Sequence, residues 1–287
     1  MDLNSLIELL GDKTAIAFTG LLIGVGFGFF AQRSRFCLRS AVVEFWNRNG
    51  TSKLSIWLLA FSTALITTQT FILEGWLDVS QARQLAATGS LSGALIGGLL
   101  FGIGMILARG CSSRMLVLAA NGNLRALLTG LIFAVSAQAS LSGLFSPLRT
   151  WISGLWTIEG GASRDLLATF HLGHAGGLLF GLLWLVAAFH FARRSSLSRR
   201  EWLGAIGVGI MVALAWLLTF QIGSLSFDIV PTQSLSFTGP SADMLMLVLS
   251  PPGQPLKFDL GLVPGVFLGA FISAALWKEL KLEGFQG

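Results

Sequence analysis

The sequence predicts an all-α integral membrane protein, a polytopic helical bundle, from three observations. Of its 287 residues 53% are hydrophobic and only 11% charged, less than half the charged share of an ordinary soluble domain. Mean hydropathy is +0.74. Seven nearly continuous apolar runs, at 15–31, 54–73, 91–108, 126–145, 172–192, 202–223 and 261–277, each approach the roughly 20 residues a helix needs to cross hydrocarbon. A transmembrane barrel would instead show alternating strands of about 10 residues.

Taken in order, the first run follows an acidic leader, Asp2, Glu8 and Asp12, and precedes the first arginine cluster. A secretory signal has the opposite polarity, so the run reads as a retained membrane segment. It ends in a basic turn at Arg33 and Arg35, then Cys37, then a short apolar stretch to Trp46. The run at 54–73 completes a unit. The run at 91–108 repeats the pattern, passing through Arg109 to Cys111 and a short stretch to Ala120 before 126–145. Sliding the chain on itself by 74 residues lays Gly24 on Gly98, Gly28 on Gly102, Arg35 on Arg109 and Cys37 on Cys111. The matched stretches read GVGFGFFAQRSRFCLRS and GLLFGIGMILARGCSSR. This is expected of an internal pseudo-repeat with units at about 15–73 and 91–145.

Glycines four apart, at Gly20, Gly24 and Gly28 and at Gly98 and Gly102, predict faces on which helix backbones approach closely. The post-cysteine stretches are too short to span, which suits re-entrant half-helices; broken helices of this kind line central sites in transporters. Residues 144–171 and the proline-rich 224–260, with its apolar piece Met244–Leu249, read as connections on the other face. Glycine spacing recurs at Gly173, Gly177 and Gly181 and at Gly261, Gly265 and Gly269. Residues 1–287 thus read as one transmembrane domain whose C-terminal part, 172–287, adds further membrane helices.

Fourteen of the nineteen lysines and arginines fall in 32–53, 109–125, 193–201 and the tail bearing Lys278 and Lys281. Only Lys13, Arg83, Arg149, Arg164 and Lys257 fall in the alternate loops. The positive-inside rule then predicts an outside N-terminus and a cytoplasmic C-terminus. The net charge of +5 reflects this topology and gives no reason to expect nucleic acid.

Cys37 and Cys111 are too few for a disulfide framework and form no C-x-x-C pair. Each falls at the expected start of a short helix, where free backbone N–H groups attract anions and lower a thiol pKa. Arg33, Arg35 and Arg39 surround the first; Arg109 and Arg114 flank the second. An arginine at membrane depth costs roughly 2.5–3.5 kcal/mol, so it serves a partner or a passing ion, or else snorkels to the interface. Taken singly each thiol reads as an ordinary buried cysteine; matched positions point to an anion path. A thiol is a weak donor and a soft acceptor, which suits a sulfur-bearing anion better than a hard oxyanion. Candidate path residues are therefore Cys37, Cys111, Arg35, Arg39, Arg109 and Arg114.

Other polar residues are less telling. His171 and His174, three apart, could approach a metal or sit at an interface; His190 reads as interfacial, and Glu44 as an ion-pair partner for an arginine. Most tryptophans fall near span ends, as an aromatic belt would. There is no G-x-x-x-x-G-K-[ST] phosphate loop and no H-E-x-x-H metal motif, and no cofactor or metal is expected.

The stretches GFGFFAQRSRFCLRSA (Gly26–Ala41), GLLFGIGMILARGCSSRMLVLAANGNLRAL (Gly98–Leu127) and FDLGLVPGVFLGAFISA (Phe258–Ala274) resemble the YeeE/YedE, or sulfur-transport domain, family of bacterial inner-membrane proteins. The resemblance implies thiosulfate uptake through a helical protein narrowed from both faces, with Cys37 and Cys111 as conducting thiols. It also implies a small cytoplasmic sulfur carrier of the TusA type as partner. Family members continue past the equivalents of Phe285 and Gln286 into another Gly-rich segment with a further cysteine, whereas this chain stops at Gly287. That is expected of a naturally short relative, of half of a two-part protein completed by a second membrane subunit, or of a truncated chain.

Two functions remain open on sequence. One is transport of a small sulfur-containing anion with no covalent step. The other is a membrane-embedded sulfur or selenium transferase in which Cys111 becomes a persulfide collected by the carrier. A structural subunit is a third possibility, one that loss of both cysteines would leave untouched.

Overall fold

The computed structural model describes residues 10–195, 197–226 and 228–285; Asp2, Glu8 and Gln286 lie outside them. Helix α1 (Asp12–Ser34) is followed by the short α2 (Leu38–Trp46) and by α3 (Ser52–Leu73). After a turn of helix α4 (Arg83–Ala86), the same succession recurs as α5 (Leu91–Leu107), α6 (Ser112–Ala120) and α7 (Leu124–Leu141). Then come α8 (Ser146–Gly154), α9 (Leu166–Thr169), α10 (Gly173–Arg193), α11 (Arg199–Leu225), α12 (Thr238–Leu249) and α13 (Phe258–Leu276). A two-residue antiparallel ribbon, β1 (Gly89–Ser90) with β2 (Thr157–Ile158), ties the start of α5 to the end of α8. Among the described residues seven spans are long and apolar enough to cross a membrane, and two of them, Asp12–Trp46 and Leu91–Ala120, contain a long helix, a break and a short helix. The protein is an all-α polytopic membrane protein, as its composition predicts.

Helix starts follow local chemistry. Ser90 caps α5 and Asn123 caps α7, each accepting from the amide three residues on. Ser198 and Glu201 close a reciprocal capping box on α11, which satisfies amides that would otherwise face an apolar medium.

The tightest packing joins the first long helix to the last. A Cβ added at Gly20, Gly24 or Gly28 would strike the backbone of Phe258, Leu262 or Val266; one at Gly261, Gly265 or Gly269 would strike Ala17, Leu21 or Val25. Two glycine faces thus meet backbone to backbone, as small-residue spacing allows where lipid removes the hydrophobic drive to associate. Around this seam α11 and α6 complete a core containing Ile23, Phe27, Val117, Val208, Leu262 and Val266. A second cluster, Ile56, Leu58, Leu59, Ala188 and Ala205, joins α3, α10 and α11.

Several expectations are corrected. Gly98 and Gly102 form no close contact among the described residues: nothing lies within 4 Å of an added Cβ. Helix α5 packs mainly on α8 and β2, because the glycine seam of α13 is already taken by α1. The apolar piece at Met244–Leu249 belongs to a longer helix beginning at Thr238. The run at 126–145 ends as helix at Leu141. His171 has φ 53° and precedes Gly173, itself at φ 58°, so the two histidines do not share a helical turn; among the described residues no group of three or more His, Cys, Asp and Glu side chains could hold a metal. Among the described residues Glu44 pairs with no arginine; it accepts from the amides of Ser52 and Lys53 at 3.2 and 2.9 Å and so caps α3 from the preceding helix.

One end of the bundle gathers the basic segments. There Thr51 Oγ1 donates to the Phe191 carbonyl, Lys53 approaches Glu201 at 3.8 Å, and Gln32 donates to Glu279 at 2.9 Å. At the opposite end Ser226 donates to Asp12 at 2.6 Å, Lys13 lies 3.5 Å from Asp228, and Gln233 donates to Asp259. A cavity of about 430 Å³ opens there, lined by Asp12, Asp228, Asp243 and Asp259 with Lys13 and Lys257.

Candidate functional site

The breaks in the two composite spans share one backbone design. Helix α1 ends with Arg35 in the left-handed region (φ 53°, ψ 38°), while the Phe36 amide bonds back to the Ala31 carbonyl at 3.1 Å. Helix α5 ends with Arg109 at φ 59°. Glycine normally fills this position because a side chain there costs roughly 1–2 kcal/mol. Arginine stands in it at both breaks, 74 residues apart, and again at Arg48 after α2 (φ 54°); strain of this kind concentrates at functional sites.

Two residues on from each arginine, Cys37 (φ −162°, ψ 114°) and Cys111 (φ −88°, ψ 172°) are the N-caps of α2 and α6, in extended geometry. Neither thiol accepts a capping hydrogen bond. Serine or asparagine at such a position would accept from the first-turn amides; cysteine leaves those N–H groups to attract an anion. Cys37 is buried and Cys111 half-buried, and Cys111 Sγ lies 3.2 Å from Ser113 Oγ.

Arg114 brings the two units together. From the first turn of α6 it lies within electrostatic range of Cys37, Cys111 and Arg35, and its buried Nη1 has no hydrogen-bond partner among the described residues. A buried guanidinium N–H without a partner is expensive. Arg35 and Arg114 also line a cavity of about 320 Å³ at the basic end, with Gln32, Asn121, Lys278, Glu279 and Lys281. Of the six residues expected on the path, four, Cys37, Cys111, Arg35 and Arg114, are thus brought together. Arg39 is half-buried with an unpartnered Nε, Arg109 is exposed, and neither lines this cavity.

Sequence reasoning missed the polar floor of the cavity. Asn121 donates to Gln32 Oε1 at 2.7 Å, and Gln32 donates to Glu279 at 2.9 Å, so one amide links the ends of α1, α6 and the chain beyond α13. The only local signal was a glutamine in the last turn of an apolar helix. Its partners lie far along the chain.

Fold and site together define a polytopic helical membrane protein with a thiol- and arginine-bearing break in each of two composite spans. A family model described as Sulphur transport matches residues 33–287, and the chain belongs to that family. It is 27% identical over 278 residues to the thiosulfate transporter TsuA of Spirochaeta thermophila, a match covering 92% of this chain and 79% of that protein. It is 25% identical over 289 residues to the thiosulfate transporter TsuA of Escherichia coli, covering 92% and 76% respectively. The probable transporter YedE of Escherichia coli is 29% identical over 168 residues, 58% of this chain and 38% of that one.

Proposed function

We propose that this protein carries thiosulfate across the bacterial inner membrane without a covalent step, along a path on which Cys37 and Cys111 contact the ion. The observation that carries the reading is that both N-cap thiols lie within electrostatic range of Arg114, whose buried Nη1 has no hydrogen-bond partner among the described residues and which lines the basic cavity with Arg35. Free helix-start amides and a guanidinium hold the oxygens of the anion, while weak, polarisable thiols meet its terminal sulfur without binding it so tightly that it stays. Arg35 completes the cationic side of the path; Arg39 and Arg109 are assigned to attracting the ion to the breaks. The names of the relatives support thiosulfate as the ion, and favour transport over sulfur transfer.

In this reading the segments at about 15–73 and 91–145 are two related units whose short helices α2 and α6 re-enter the bundle from the cytoplasmic side. The gathering of basic residues at one end supports placing the C-terminus in the cytoplasm and the N-terminus outside. A TusA-like carrier would take up sulfur at that end. The open faces of Gly98 and Gly102, set against the packed faces of Gly24 and Gly28, support a second membrane subunit beside α5. The test of the reading is mass spectrometry of Cys37 and Cys111 during uptake: thiosulfate accumulation with unmodified thiols is expected, and a persulfide adduct that forms and decays with turnover would overturn it in favour of transferase chemistry.

A further inference from the structure

The basic cavity holds more than cations. The helix α13 ends in a Schellman turn: Lys278 adopts φ 55°, its amide bonds to Ala275 and the Glu279 amide bonds to the Ala274 carbonyl at 2.8 Å. This turn sets Glu279 in the wall of the cavity, where Arg35, Arg114, Lys278 and Lys281 supply four positive charges. Its carboxylate accepts from Gln32 at 2.9 Å and lies 3.6 Å from Arg33, which stacks 3.8 Å from the Trp277 ring. The chain beyond is strapped to the second composite span: Lys281 N–H donates to the Asn121 carbonyl, Glu283 N–H to Gly122, and the Leu124 amide donates back to Glu283.

Four cations and one carboxylate line the cavity, which stays positive even with Glu279 in place, and a second acceptor entering it would meet Glu279 as a like charge. Gln32 presents its amide N–H to the carboxylate and its carbonyl to Asn121, so it is the donor that an incoming anion would have to share. We infer that this cavity is an anion-holding site in its own right, next to the thiols, and that Glu279 is its built-in competitor: a tethered carboxylate that occupies the cationic wall and lowers the affinity for a passing divalent sulfur oxyanion. The inference rests on the transport reading for the identity of the anion but not for the site itself. A competing internal charge of this kind keeps a cationic site from trapping its ion, since conduction needs binding that is weak enough to release.

The experiment is equilibrium binding of radiolabelled thiosulfate, and separately of sulfate, to the purified full chain in lipid nanodiscs, for wild type, Glu279→Gln and Arg114→Gln. Glu279→Gln keeps the size of the side chain and an acceptor for Gln32 while removing the charge. It is expected to bind thiosulfate at least about ten-fold more tightly, the gain of one charge-assisted contact, and to release it more slowly; Arg114→Gln is expected to lose binding. Glu279→Asp, which withdraws the carboxylate by one methylene, is expected to fall between wild type and Glu279→Gln and serves if the amide variant does not fold. Unchanged or weaker binding in the folded Glu279 variants would overturn the inference and leave Glu279 as a latch between helices. If sulfate binds as tightly as thiosulfate and still tightens in Glu279→Gln, the competitor stands while the reading of thiosulfate as the transported ion fails.

Discussion

At the scale of single residues, the positions of Arg35 and Arg109 separate backbone from chemistry. Both adopt a left-handed conformation that glycine would adopt without strain. Arg35→Gly should therefore leave thermal stability unchanged or raise it by up to about 1 kcal/mol, yet reduce thiosulfate uptake about ten-fold, the size of a lost charged hydrogen bond. A melting curve and an uptake assay on the same preparation check both halves. If uptake survives, the guanidinium of Arg35 is not on the path. Glu44 makes a contrasting case: with its two bonds to the start of α3, Glu44→Ala should cost about 1 kcal/mol, as loss of a helix cap does, and leave uptake per folded molecule unaltered.

These two residues also mark how far the sequence could be read. Both cysteines and the basic turns before them were legible because the signals are local: an apolar run, a basic turn, then a thiol; the left-handed conformation of Arg35 and Arg109 was not, since glycine is its usual occupant. The role of Glu44 was not, because its polar partners are backbone amides across a turn and leave no trace in residue type. Gln32 was invisible for a different reason, since its value comes from Asn121 and Glu279, which only the packing of α6 and the tail against α1 brings near.

At the scale of elements, the seam between α1 and α13 and the open face of α5 make a paired test. Gly24→Ala places a methyl 2.5 Å from the Leu262 carbonyl and 3.0 Å from Gly265 Cα. Such overpacking against backbone should destabilise by about 1–3 kcal/mol. Gly102→Ala meets nothing within 4 Å and should be neutral or favourable by up to about 1 kcal/mol, the helix-propensity gain. Unfolding midpoints in detergent compare them directly, and equal effects would mean that the glycine seam contributes nothing special. Sequence spacing alone gave both helices the same glycine face; which of them finds a partner depends on where α13 lies, and no periodicity within α5 encodes that.

For the whole molecule, seven spans and the gathering of basic segments at one end make a coherent topology. A fluorescent protein fused after Gly287 is expected to fold and fluoresce in the cytoplasm; a dark fusion present at normal levels would reverse the orientation. The apolar runs predicted the spans to within a few residues because bilayer thickness acts on each helix separately. Their arrangement came only from long-range packing, which also sets Arg114 of the second motif beside Arg35 of the first on one cavity wall.

The central claim is that the two thiols form a single path. Its most direct test is uptake of radiolabelled thiosulfate by cells lacking their own sulfate and thiosulfate importers, expressing this protein or its Cys37→Ala or Cys111→Ala variant at matched membrane levels. Uptake above the empty vector that either substitution alone abolishes is the predicted result; uptake that persists in both variants would contradict it.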